Sequence, residues 1–277
     1  MNKFGGDWTN HKIDIITCYA KAYLTVMKDR PYFKLIYFDG FAGSGEITAE
    51  HKDKIEGAAL RILSIDKPRT FDLYYFVELD KKFAAILDST IKDKFPNKQT
   101  YVVVEDCNVK LAALSNYLNK PENKNSKVLA FIDPKGMQVI WQSIENLKNL
   151  GTDLWILVPT GMGVNRLLKN NGEISDEWIS RLKKFLGMPE KAIREYFYRS
   201  VTRLTLFGEE ENIQKENNAI EAAAKLYQSK LKEVFSFVSE PFIMRNSTNS
   251  PMYHFYMATN NKTALKIAND VIKPNFK

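Results

Sequence analysis

The side chains best suited to chemistry sit where short apolar runs end. Phe38 to Gly45 reads FDGFAGSG: Asp39 closes a β-rich run, and Phe41 and Ala42 lead into Gly43 and Gly45. Glycines there strip side chains from a strand-to-helix turn, so a ligand can touch backbone N–H groups. Tight turns also use glycine for geometry alone. The Gly-Lys-Ser/Thr ending of a phosphate-binding P-loop is absent. Glu78 ends the next run, where a carboxylate can accept both ribose hydroxyls of a nucleoside cofactor. It lies further from the glycines than the usual spacing of about 20 residues, which makes 46–56 an extra loop. Asp106 ends a third run and can meet an adenine amino group. Each acid has a plainer reading, since Glu78, Asp80 or Asp106 can instead cap the helix that follows.

Asp133-Pro134-Lys135-Gly136 follows a fourth run, KVLAFI. Asp133 with Pro134 can orient a substrate amine or act as a base, and Lys135 can meet an anionic group; the alternative is a structural Asp-Pro turn. Thr160, Gly161, Gly163, Asn165 and Arg166 follow the fifth run. A glycine-rich turn leading to arginine can hold a phosphate or the substrate, or simply open the next segment with Arg166 solvated. Asp39, Glu78 and Asp133 could also converge on magnesium, but the glycine turn needs no metal and none is assigned. Cys18 and Cys107 have no evident thiolate-forming partner.

Regular elements must bring these residues together. Helical spacing covers 10–28, with Ile13, Ile16, Ala20, Tyr23, Leu24 and Met27 on one stripe. Strands are expected at 34–39, 71–78, 100–105, 127–132 and 153–158, alternating with helices at 57–65, 81–94, 109–118 and 141–149. Four of the five strands are near-continuous apolar runs, as in a parallel sheet covered on both faces. Polar or glycine residues stand at each strand's C-terminal end, the edge where open α/β sheets bind ligands. The segment 163–232 reads as helical and polar, with basic positions including Arg166, Lys169, Arg181, Arg194 and Arg203. Strands at 234–245 and 252–258, joined by a link too short for a crossover helix, imply an antiparallel hairpin at one sheet edge, before a last helix at 262–273. Trp141 and Trp155 read as core. The chain divides into a core at 1–162, a helical insertion at 163–232 for substrate or partner, and a terminal hairpin and helix at 233–277.

Composition narrows the function classes. Of 277 residues 44% are hydrophobic and 26% charged, too apolar for general disorder. Two cysteines exclude a disulfide framework or a four-thiolate metal site within the chain, and three histidines far apart leave little for a histidine site. No apolar run approaches the ~20 residues that span a bilayer, and the first residues lack a signal-peptide core. A cytoplasmic, membrane-free protein is expected. Forty Lys+Arg against 33 Asp+Glu give a net charge of +7, compatible with a nucleic-acid partner.

Taken together, these features resemble a class I methyltransferase that binds S-adenosylmethionine. More narrowly, FDGFAGSG, FIDPKG with Trp141 shortly after, and LVPTGMGVNRLL at 157–168 resemble the three-Cys-motif partner (TcmP) family. The resemblance covers nearly the whole chain. It implies a Rossmann-like α/β sheet with a C-terminal antiparallel hairpin, and a separate three-cysteine, radical-SAM-like partner protein. Residue by residue, it implies that Asp39, Gly43 and Gly45 surround the methionine part of the cofactor, with Glu78 at the ribose, Asp106 at the adenine, and Phe41 and Ala42 also at the cofactor. Trp8 and Lys12 are a loose analogue of a tryptophan–lysine pair that reaches the cofactor carboxylate, or merely anchor the first helix. Amino-methylating enzymes carry Asp/Asn-Pro-Pro-aromatic after the fourth strand; here Lys135 and Gly136 replace the last two positions. That departure weakens an N-methyladenine assignment. The catalytic expectation is Asp133, Pro134 and Lys135, with Thr160, Asn165 and Arg166 on the substrate. The alternative is a non-catalytic module that works with its three-cysteine partner.

Overall fold

The computed structural model describes residues 8–48, 54–205 and 208–273. The chain begins with α1 (Trp8–Met27) and β1 (Lys34–Asp39), then a small hairpin of β2 (Glu46–Thr48) and β3 (Lys54–Glu56). Next come α2 (Ala58–Leu63), β4 (Leu73–Glu78), α3 (Lys81–Lys94), β5 (Thr100–Val104), α4 (Cys107–Leu118), β6 (Ser126–Ile132), α5 (Trp141–Glu145) and β7 (Thr152–Val158). After a π-helical turn (Thr160–Asn165) follow α6 (Asp176–Leu186), α7 (Glu190–Phe197), β8 (Tyr198–Thr205), β9 (Gly208–Lys215) and α8 (Ala219–Val234). β10 (Phe237–Val238), β11 (Phe242–Arg245), β12 (Pro251–Thr259) and α9 (Lys262–Ile272) complete the order.

The central sheet runs β5-β4-β1-β6-β7-β12, with β10 and β11 both on the outer edge of β12. β5 through β7 are parallel, whereas β12 is antiparallel to β7 and pairs His254 with Val158. This is the Rossmann-like arrangement expected: five parallel strands closed by an antiparallel hairpin.

The alternation of side chains along each strand divides the core into two layers. Ile36 and Phe38 of β1 join Val128, Ala130 and Ile132 of β6 under α4, α5, α6 and α8. Leu35 and Tyr37 face the other way and meet α1, α2 and α9 with Leu129, Phe131 and Trp155. Trp141 and Trp155 are both buried, as their reading as core requires. Because β1 and β6 are covered on both faces, their polar residues collect at the strand ends.

Three expectations change. The strand expected at 234–245 is instead the last residue of α8 and two short strands, β10 and β11, with Pro241, which has no N–H to pair, in the break between them. Within 46–56, expected as a plain loop, β2 and β3 pair antiparallel; residues 49–53 lie outside the described residues. The segment 163–232 is not wholly helical, because β8 and β9 pair antiparallel from Tyr198↔Lys215 to Thr205↔Gly208. That ribbon is rich in charged residues, so its cross-strand pairing leaves no apolar periodicity to read. The insertion's helices share the main core: Leu182, Phe185, Ile193, Tyr227 and Leu231 belong to the same buried cluster as Val128.

Candidate functional site

The end of β1 sets the site. Asp39 is 1% exposed, and its Oδ1 accepts the Phe41 amide at 3.1 Å while Oδ2 faces the Tyr37 hydroxyl at 3.4 Å. Burial pushes the Asp39 carboxyl up to about 7; the neighbouring Asp133 adds to the rise, whereas the Phe41 amide, Tyr37 and Lys12 oppose it. Asp39 is therefore buried beneath the turn, whose path it fixes through the Phe41 amide it holds. The chain then crosses the sheet end: Gly40 N–H donates to the Phe131 carbonyl, Ala42 N–H to Val77, and Gly43 N–H to Glu78 Oε2 at 2.8 Å.

The two glycines of the turn differ. Gly43 has φ +62°, and a Cβ built there meets nothing within 4 Å. Gly45, at φ +81°, is a packing glycine: its Cβ would lie 2.8 Å from Leu87 and 3.2 Å from Leu60. Its carbonyl accepts the Gly57 N–H at 2.7 Å, which closes the β2–β3 hairpin against the turn.

Of the two acids after β4, Asp80 is the helix cap, its Oδ1 accepting Lys82 and Phe83 amides. Glu78 points back to the turn, holding Gly43 N–H with Oε2 and Asp80 N–H with Oε1, both at 2.8 Å. A carboxylate has about four lone-pair sites, so Glu78 keeps acceptor capacity for a ligand. Asp106 does cap α4, accepting Asn108 N–H at 2.7 Å with Oδ1.

Lys12 reaches from α1 to Asp133 Oδ2, across 121 residues of chain. The lysine side chain is 8% exposed and that of Asp133 22%, so the pair is largely screened from water. Trp8 opens α1, its side chain outside those described. Tyr253 of β12 is close enough for the Asp133 charge to help push its phenol up, after burial. Pro134 is buried and Lys135 exposed. The loop is braced from within and from α4. Lys135 N–H donates to Gln138 Oε1 at 3.0 Å, Asn108 Nδ2 to the Gln138 carbonyl at 2.9 Å, and Ile140 N–H to Asn108 Oδ1 at 2.9 Å.

The expected substrate trio separates. Thr160 is 0% exposed, and its hydroxyl pairs with His254 Nδ1 at 2.8 Å, so it shapes the π-helical turn from inside. Burial pushes His254 down to about 4. Asn165 Oδ1 accepts Lys215 Nζ at 3.2 Å, facing β9. Arg166 alone shares a groove with the loop after β6, beside Lys135 and Gln138. Sequence reasoning missed Tyr37, Asn108, Gln138, Tyr253 and His254. Tyr37 had a signal, because it stands two residues before Asp39 and strand periodicity puts both on one face. Gln138 and Asn108 stand close to Lys135 and Asp106 in the chain but carry no pattern of their own, and Tyr253 and His254 come from the distant β12.

Cys107 is buried, and desolvation pushes its thiol well above the usual range, consistent with an inert core cysteine. Among the described residues no three His, Cys, Asp or Glu side chains are grouped to hold a metal ion, and no helix is long and apolar enough to cross a membrane. A cavity of about 400 Å³ opens at the opposite sheet edge between α1 and α9, and none of the converging residues lines it.

No family model and no curated protein matches the sequence. Among solved structures, the chain is similar to Trm1 from Pyrococcus horikoshii in complex with S-adenosyl-L-methionine (TM-score 0.46, 9% identity), covering 97% of this chain but only 58% of Trm1. It is also similar to an rRNA methylase from Streptococcus thermophilus (TM-score 0.35, 9% identity, 83% and 88% of the two chains). An S-adenosylmethionine-dependent methyltransferase from Clostridium acetobutylicum gives TM-score 0.36 at 8% identity, over 88% and 92% of the two chains.

Proposed function

We propose that this protein is an S-adenosylmethionine-dependent methyltransferase acting on nucleic acid or on a nucleobase within it. One observation carries the reading: a side-chain-free turn at Gly43, locked to Glu78, opens at the same sheet edge as Asp133-Pro134-Lys135. The donor set fits a nucleoside cofactor. The Gly43 turn leaves open space for its amino-acid end, Glu78 retains lone pairs for ribose hydroxyls, and the second oxygen of Asp106 suits an exocyclic amine. When bound, the cofactor supplies an electrophilic methyl group on a sulfonium.

The chain's own residues do the rest. Asp39, beneath the turn, fixes the Phe41 amide and so the path of Phe41 and Ala42. Lys12 steadies Asp133 through Oδ2 and leaves Oδ1 to accept an N–H of the substrate amine, beside the Pro134 carbonyl. With no aromatic at position 136, base stacking must come from outside this loop. Lys135 is exposed with its Nζ 5.9 Å from the Phe83 ring centroid, where it can meet a phosphate. The resemblance to three-Cys-motif partners adds a separate three-cysteine, radical-SAM-like protein as a partner, tested by co-purification at varied salt.

Calorimetric titration of S-adenosylmethionine and S-adenosylhomocysteine into ligand-free protein tests the cofactor. Binding by wild type, abolished in a folded Gly43→Asp variant, is expected; no heat at millimolar ligand would sink the reading. Asp133→Ala then separates roles, because it should bind the cofactor and transfer nothing.

A further inference from the structure

A groove of about 640 Å³ starts at Lys135, two residues from Asp133, and runs between the π-helical turn and α6. Lys135, Arg166 and Arg181 line it with the indole of Trp178 and with Met162. Lys135, Arg166 and Arg181 are exposed, whereas Trp178 is half-buried, anchored against the core. Lys169 brings a fourth cation to the same place, its Nζ 4.7 Å from the Trp178 ring centroid. The acid known to engage these cations is Glu177, which accepts Arg181 Nη2 at 2.7 Å and is itself 69% exposed. A water-exposed pair of that kind is weak and yields readily to a phosphate.

We infer that this groove is the track of an unpaired polynucleotide strand, with its phosphates on Arg166 and Arg181 and a base stacked on Trp178. The inference rests on the methyltransferase reading and names the substrate of that same site. Cations spaced along a groove neutralise a backbone, whereas the indole face that Lys169 does not cover suits the π-face that every base presents. An aromatic here also supplies what the reaction loop lacks at Gly136. A base stacked on Trp178 has left any duplex stack, so an unpaired strand reaches the groove without that unstacking cost. Such a track enters the site past Lys135, whose N–H is held by Gln138, the residue whose carbonyl Asn108 holds in turn.

Fluorescence anisotropy with labelled 12-nucleotide single strands of RNA and DNA, and with the DNA duplex, tests this over 50–200 mM salt. Tighter binding of either single strand than of duplex, weakening steeply with salt, is expected. Arg166→Gln/Arg181→Gln should weaken binding at least tenfold and reduce the log–log salt slope by about 1.4, at ~0.7 for each phosphate contact on a single strand. Trp178→Ala should weaken binding about tenfold and leave the slope unchanged. Should Trp178→Ala fold poorly, the double arginine variant, wholly on the surface, decides alone. Duplex binding as tight as single strand, an acidic peptide of equal charge bound equally well, or a double variant indistinguishable from wild type would each overturn the assignment. Calorimetry with S-adenosylhomocysteine on the same preparations separates the two readings. Cofactor binding without oligonucleotide binding removes the groove alone, whereas absent cofactor binding removes the reading beneath it.

Discussion

Gly43 N–H donates to Glu78 Oε2 at 2.8 Å, joining the turn after β1 to the end of β4 across 35 residues of chain. The same carboxylate holds Asp80 N–H with its other oxygen, so one side chain sets both the glycine turn and the approach to the α3 cap.

Glu78→Gln should therefore act almost like Glu78→Ala. Glutamine offers one acceptor oxygen, so one of the two amides would face an NH2 group instead. Either change should cost about 1–2 kcal/mol in urea denaturation and weaken cofactor binding at least tenfold by calorimetry. A glutamine variant as stable as wild type would mean that the carboxylate does not hold the turn.

The two glycines should respond differently to alanine. At Gly43 the cost is the left-handed backbone alone, about 1–2 kcal/mol, since nothing lies within 4 Å of the added Cβ. At Gly45 the methyl would also press on Leu87 and Leu60, raising the loss by roughly another 1–3 kcal/mol. Equal melting points for the two variants would contradict this division into open and packing glycine.

Lys12→Met leaves Asp133 without its cation in a largely covered site, and should destabilise the fold by about 2–4 kcal/mol. Adding Asp133→Asn should recover part of that loss, because the unpaired charge is gone. A double-mutant cycle in urea measures the coupling, expected above ~1 kcal/mol. Strictly additive losses would show that the pair contributes nothing as a pair.

Asp39 and His254 should give opposing pH dependences. Burial raises Asp39 from the ordinary carboxylate value to about 7. The folded state thus binds the extra proton, and this contribution to stability falls as pH rises from about 4 to 7. His254, pushed by burial to about 4, excludes a proton the unfolded chain takes up, so its contribution is lost as pH falls from about 6.5 to 4. Each effect is of order 3 kcal/mol, and the two largely cancel in wild type. Denaturation of Asp39→Asn should reveal stability rising with pH across that window, and His254→Gln stability falling. Parallel pH profiles for all three proteins would refute both assignments.

Much of the frame was legible in the residues. The strands at 34–39, 127–132 and 153–158 were readable because a strand covered on both faces must be apolar at successive positions. Its polar residue, Asp39 or Asp133, is then pushed to the end. The charged ribbon of β8 and β9 was not legible, because strands held by backbone pairing outside the core need no apolar alternation.

The sequence by itself determined the alternation of strands and helices, the turn at Gly43 and Gly45, and the edge at which Asp39, Glu78, Asp106 and Asp133 collect. These follow from backbone freedom and local burial, which a short window of residues expresses. Tertiary structure alone decided that Lys12 pairs with Asp133, that Thr160 turns inward to His254, and that Arg166 meets Lys135 and Trp178 in one groove. Those partners lie far apart along the chain or on opposite sides of one turn, and only the packing of α1, β12 and α6 about the sheet fixes which side chains face each other.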